Sequence, residues 1–244
     1  MKALSIGLGI FILTSSVWVG TFVETFDDNG DLEKWQELTI LGFDSPGLWN
    51  IDDGELQYIL DFDDGGFGSL LTTGDEMWQD YSIEFDVKPL IKRGEGNIAI
   101  AARISQAWGV VCTIGDGPFP DPESMARCYG GNLRGLASLT LAKEPHPLLK
   151  RRWHHLKLSV KRNVLTFWIN GKQVLGPVIL EAKIVEGGME FPDYLNGKVG
   201  LGVTNYSVLF DNITITGNDI PNQRGLSVTP SAKLATTWGH LKQL

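Results

Sequence analysis

The sequence predicts an all-β domain, built as a sandwich or a barrel, and three observations carry that prediction. Short segments of alternating apolar and polar residues recur along most of the chain. Gly, Asn, Asp and Pro separate them where tight turns need unusual or fixed φ, and Gly alone supplies 29 of the 244 residues. No long stretch carries helical periodicity, so very little helix is expected.

Taken in order, the first clear hairpin joins Trp49-Asn50-Ile51 to Leu56–Leu60 through Asp52-Asp53-Gly54-Glu55, with Asp-Gly as the turn signal. Tyr81 to Val87 alternates, which puts Ile83, Phe85 and Val87 on one face and Glu84 and Asp86 on the other. Asn97–Ile104 and Gly109–Ile114 read as further strands. His154 to Val160 alternates after Trp153, and Leu165–Ile169 follows across Lys161-Arg162-Asn163. Asn170-Gly171 then turns the chain into Lys172–Leu175, and Gly197–Val203 with Val208–Ile215 completes the pattern.

The two ends differ from this body. Residues 1–20 read as a signal peptide: Lys2 gives the positive start, Ala3–Leu13 the apolar region, and Thr14-Ser15-Ser16 small residues for cleavage. The apolar stretch ends near Gly20, short of the roughly 20 residues of a membrane span. A secreted or cell-envelope protein with no stable span after cleavage is therefore expected, an uncleaved anchor being the alternative. Residues 218–244 lack alternation, carry Pro221 and Pro230, and read as a polar C-terminal tail in which Trp238 is the candidate docking residue. The domain between them is expected at residues 21–217.

Hydrophobic residues at 43% and charged residues at 20% suit a packed core. A net charge of −8 repels phosphate backbones and excludes nucleic acid as a natural partner. The local basic run Lys150-Arg151-Arg152 reads as a solvated strand edge. In an oxidising compartment Cys112 and Cys128 read as one disulfide closing a short loop. The acceptor pattern for N-glycosylation occurs at Asn205-Tyr206-Ser207 and Asn212-Ile213-Thr214.

Four segments resemble the concanavalin A-like jelly-roll superfamily, in particular laminin-G-like domains and the sugar-active domain called 3-keto-disaccharide hydrolase. They are Phe26-Asp27-Asp28 with Trp35, the Trp49–Leu56 hairpin, Trp153-His154-His155-Leu156 through Asn170-Gly171-Lys172, and Gly197–Leu201 through Phe210-Asp211-Asn212-Ile213. The resemblance implies a two-sheet antiparallel jelly-roll sandwich. It implies less about activity, because such folds host lectins, adhesion modules and glycosidases alike.

In the laminarinase-like branch of that superfamily the catalytic carboxylates lie on one strand as Glu-x-Asp-x-Glu. Here the matching stretch is Glu84-Phe85-Asp86-Val87-Lys88, with Lys88 where the second Glu would stand. Without that acid the leaving group is unassisted, and Glu84, Asp86 and Lys88 read as a solvated, charge-paired sheet face. The resemblance also implies a structural calcium, for which Glu24, Asp27 and Asp211 are the candidate ligands. Asp61, Asp63 and Asp64 form an acidic turn that is a weaker candidate. Trp168 points opposite to Leu165, Phe167 and Ile169 and so faces outward, with His155 and Lys157 on the same face. Arg103, Trp108, Arg127 and Tyr129 lie around the cysteines and form a candidate rim.

The function expected from these residues is a secreted carbohydrate- or glycan-recognition module without clear catalytic residues, with Trp168, His155, Trp108 and Arg103 as ligand-binding residues. The alternatives are a sugar hydrolase of the 3-keto-disaccharide type and a structural or adhesion domain that binds protein.

Overall fold

Asp53-Gly54 takes φ of 51° and 75°, and Asn170-Gly171 takes 52° and 75°. Two successive positive φ values let a two-residue turn follow the twist of an antiparallel pair. The computed structural model describes residues 19–40, 47–60, 68–116, 124–135 and 137–224, and both turns close hairpins in it. The chain forms β1 (Gly20–Glu24), a 3-10 turn (Asn29–Lys34), β2 (Gln36–Thr39), β3 (Leu48–Asp52), β4 (Glu55–Ile59), β5 (Gly68–Thr73), β6 (Tyr81–Lys92), β7 (Asn97–Ser105) and β8 (Trp108–Asp116). There follow β9 (Ser124–Asn132), β10 (Ser138–Pro145), β11 (His154–Lys161), β12 (Val164–Ile169), β13 (Lys172–Ile179), β14 (Lys183–Ile184), β15 (Glu190–Phe191), β16 (Lys198–Thr204), β17 (Tyr206–Gly217) and β18 (Gln223–Arg224). No α-helix occurs among the described residues, and none is long and apolar enough to cross a membrane.

Two large sheets result, antiparallel except where β18 joins β1, with β14 and β15 forming a separate small pair, so the architecture is a sandwich. One runs β13-β12-β11-β6-β17-β1-β18, with the β3–β4 hairpin joined to β17 through β4. The other runs β10-β9-β8-β7-β16-β5-β2. Alternation decides which side chains meet between them. The first sheet contributes Ile83, Phe85, Leu156, Leu158, Phe167 and Phe210 to the core, and the second contributes Ile98, Ile100, Val110, Ile114, Val199 and Leu201. Each such side chain stabilises the fold by about 1.5–3 kcal/mol through burial. Cys112 and Cys128 face each other across β8 and β9, form the expected disulfide and are fully buried.

One irregularity bears on the site. Between Gly200↔Ala101 and Lys198↔Ile104, β7 carries one residue more than β16. Arg103 absorbs it at φ 52°, and this bulge turns its side chain into the protein instead of outward. Beyond β17, Ile220 is buried, Asn222 accepts a hydrogen bond from the Thr21 amide at 3.0 Å, and β18 runs parallel to β1. The apolar region of the expected signal (Ala3–Leu13), the acidic turn of Asp61, Asp63 and Asp64, and Trp238 lie outside the described residues.

Candidate functional site

The outer face of the seven-stranded sheet is paved with small residues. Arg127, Thr113, Ala99, Gly202 and Leu70 lie side by side across β9, β8, β7, β16 and β5. The next row is Tyr129, Val111, Ala101, Gly200 and Thr72. Short side chains in the middle of both rows leave a trough between taller ones at the sides. Gly202 has no room for a side chain: a Cβ would stand 2.6 Å from the Ser69 carbonyl oxygen and 2.8 Å from Leu70 Cδ1. Leu38, Leu70, Ile104, Val111 and Leu133 join Ala99 and Ala101 in a second apolar cluster on this face, with Ile40 and Tyr129 packed against it.

The trough encloses a cleft of about 860 Å³, inside the size range of small-ligand sites. Its apolar floor is bordered by Arg127, Tyr129, Thr113, Asn97, Ser138 and Thr140. Burial pushes the Tyr129 phenol up to about 12, with the Arg127 charge opposing the shift. Tyr129 is therefore a neutral O–H at ordinary pH. Glu95 and Asp116 line the cleft as well, and Asp116 is ion-paired with Lys92. The Asn97 amide donates to Thr204 Oγ1 at 2.8 Å, and the Asn205 side chain donates to the Glu95 carbonyl, which ties the strands together there. Apolar surface with a few fixed polar groups suits a ring that carries hydroxyls.

The sequence-predicted residues fall in three places. Arg127 and Tyr129 line the cleft. Arg103 is 1% exposed. Its guanidinium donates to the carbonyls of Tyr194 at 2.6 Å and Gln79 at 3.2 Å, while its amide donates to the Tyr81 hydroxyl at 2.6 Å. Trp108 packs partly buried against the main core, edge-on to Phe191 at 5.9 Å.

Trp168 and His155 belong to the other sheet. Trp168 is paired with Lys157, and Lys157 with Glu84, on its outer face. Lys157 Nζ stands 2.6 Å from Glu84, His155 Nδ1 stands 2.9 Å from Asp86, and Asn212 donates to Asp86 at 2.9 Å. Glu84 and Asp86 thus form a charge-paired face, and Lys88 lies 5.6 Å from the ring centre of Trp153. The structure brings Trp168 and His155 onto one sheet and places Trp108 and Arg103 on the other.

Calcium would need several oxygens turned to one point. Glu24 is fully buried and accepts from the amides of Thr25 and Phe26, and its second oxygen is 3.4 Å from Lys34 Nζ. Asp27 accepts from Thr25 Oγ1 at 2.7 Å, and Asp211 from the amide of Asn212 at 2.6 Å. Among the described residues no group of three or more His, Cys, Asp or Glu is arranged around a common point.

The paired sheets define a jelly-roll sandwich of the concanavalin A-like kind. The chain belongs to the family described as the 3-keto-alpha-glucoside-1,2-lyase-like domain, whose profile matches residues 21–216. Three solved structures share the fold at low identity. The carbohydrate-binding module CBM66 from Bacillus subtilis is 16% identical with a TM-score of 0.52, over 72% of this chain and 96% of that one. A protein of unknown function with a galectin-like fold, also from Bacillus subtilis, is 13% identical with a TM-score of 0.55, over 80% and 95%. A glycoside hydrolase family 16 endo-glucanase from Bacteroides ovatus is 13% identical with a TM-score of 0.51, over 80% and 99%. No curated protein matches the sequence.

Proposed function

We propose that this domain binds a carbohydrate in the cleft on the outer face of the seven-stranded sheet. The observation that carries the reading is the cleft itself, about 860 Å³ with Ala99, Val111 and Leu70 beside Arg127, Tyr129 and Thr113. A pyranose ring laid on that floor buries its C–H face against Ala99, Val111 and Leu70, while its hydroxyls reach Thr113, Asn97 and the Arg127–Tyr129 edge. The family to which the chain belongs and the carbohydrate-binding module that shares its fold support a sugar as ligand. Lys2 and the apolar stretch Ala3–Leu13 support export to the cell exterior or envelope.

A second reading, elimination of a keto sugar, is favoured by the family match. The family's name describes loss of the group at C1 together with the proton at C2, next to a C3 ketone. A base must take the C2 proton as the ketone oxygen becomes an enolate, and the enolate's electron pair then expels the C1 group; Glu95 and Asp116 are the carboxylates that line the cleft. Arg127 and the neutral Tyr129 hydroxyl are the donors in the cleft suited to stabilising the enolate.

Affinity electrophoresis through gels cast with different polysaccharides tests both readings. Retardation of the domain without clearing of the gel supports recognition alone. Release of a free aglycone from a 3-keto-α-glucoside supports the second reading. Unretarded migration in every gel, with no reaction on the keto sugar, contradicts both.

A further inference from the structure

The basic run Lys150-Arg151-Arg152 lies away from the cleft, in the loop that leads from β10 into β11 rather than on a strand edge. Two hydrogen bonds hold that loop. His154, buried at the start of β11, donates from Nε2 to the Leu149 carbonyl at 2.9 Å and closes the loop at its base. The Arg151 amide donates to the Pro89 carbonyl at 2.7 Å and pins the middle to β6, where Arg151 turns the chain at φ 58°. The residues from Leu149 to Trp153 are thus presented as one preformed turn.

All of them are exposed. Among the described residues the side chains of Lys150, Arg151 and Arg152 make no ion pair and no hydrogen bond. Two large apolar side chains flank them, Leu149 at 48% exposure and Trp153 at 42%. Lys88 Nζ stands 5.6 Å from the Trp153 ring centre and brings a further positive charge to the patch. The whole chain carries −8, so this turn locally reverses its field. Unpaired cations in a row call for anions. Exposed Leu and Trp beside them call for an apolar layer just beneath those anions. A bilayer leaflet with anionic headgroups offers both in that order, with an indole favoured at the boundary. A soluble acidic polymer would satisfy the cations but leave Leu149 in water.

We propose that the Leu149–Trp153 turn is a docking site for an anionic lipid surface. Lys150, Arg151 and Arg152 meet the headgroup phosphates, and Leu149 and Trp153 reach the acyl boundary. Co-sedimentation of the full chain with vesicles tests this, using phosphatidylcholine alone and phosphatidylcholine with an equal part of phosphatidylglycerol. The apolar stretch Ala3–Leu13 is present in every sample, so the quantity read is the ratio of anionic to neutral partition. That ratio is expected to be about 100-fold at low salt and to collapse at high salt, a comparison that needs no variant. Replacing Lys150, Arg151 and Arg152 together with Gln should lower it at least about 10-fold. Lys161→Gln with Arg162→Gln removes two exposed cations about 20 Å away at the far end of β11, and should leave it within about 2-fold. Leu149→Ser with Trp153→Ser should weaken binding to the anionic vesicles at least about 10-fold, with circular dichroism confirming that each variant is folded. A ratio near one for the unaltered protein, or a ratio that survives loss of the three charges, overturns the proposal. Full anionic binding after loss of Leu149 and Trp153 also overturns it, and assigns the turn to a soluble polyanion instead.

Discussion

Arg127 and Cys128 are consecutive residues of β9 that serve opposite faces of one sheet: Cys128 is bonded to Cys112 in the core, and Arg127 borders the cleft. The same alternation sends Tyr129 back to the cleft side. The bridge closes a loop with a sequence separation of 16, for which constraint of the unfolded chain contributes about 3 kcal/mol. Replacing both cysteines with alanine is expected to lower Tm by about 6–12 °C. Ligand affinity should change little, because β8 and β9 stay paired from Trp108↔Asn132 to Asp116↔Ser124. Thermal melting and titration of the double variant check the two halves of this prediction.

Arg103 is an internal hydrogen-bond donor in this fold. Truncation to alanine leaves the carbonyls of Tyr194 and Gln79 without the donors they now have. The expected cost is about 3 kcal/mol, read as a shifted urea midpoint. Sugar affinity measured well below that midpoint should stay close to that of the unaltered protein.

Glu24 gives the stability a pH dependence of known sign. Burial raises its pKa above the ordinary value of 4.5, the nearby Asp31 charge adds to this, and Lys34 opposes it. The folded state therefore holds the proton more tightly than the unfolded chain. The resulting stability is fully present below pH 4.5 and is lost as the pH rises through the raised value. Glu24→Gln removes that dependence. Its stability relative to the unaltered protein should improve from pH 4 to pH 7 in chemical denaturation series, and a flat difference would refute this role for Glu24.

The floor of the cleft can be filled without touching its polar edge. Ala99 lies between Thr113 and Gly202, and Ala99→Phe projects a ring into the space assigned to the sugar. Binding should fall at least about 10-fold, consistent with loss of one buried ring contact, while circular dichroism keeps its β signature. Retained affinity in a folded variant would place the ligand elsewhere.

The fold is largely legible in the sequence because its signals are local. Asp53-Gly54 and Asn170-Gly171 announce their turns, and the alternation around Phe85 and Phe167 assigns the core faces correctly. The site is less legible, since it depends on which strands become neighbours. Ala99, Thr113, Gly202 and Arg127 are far apart in sequence and meet only through the order β9-β8-β7-β16. One signal is present: a disulfide at Cys128 directed to the core implies that Arg127 and Tyr129 point outward together. Arg103 shows the opposite case, where a bulge that no local pattern announces reverses the direction that alternation assigns. Trp168 lies on an outer face, as its alternation says, but on the sheet opposite the cleft.

The location of the ligand is the central claim, and amide chemical-shift mapping tests it most directly. Sugar added to labelled protein should shift Ala99, Val111, Thr113, Arg127 and Tyr129, and leave His155, Lys157 and Trp168 unmoved. Shifts confined to His155, Lys157 and Trp168 would move the site to the outer face of the other sheet and contradict sugar binding in the cleft.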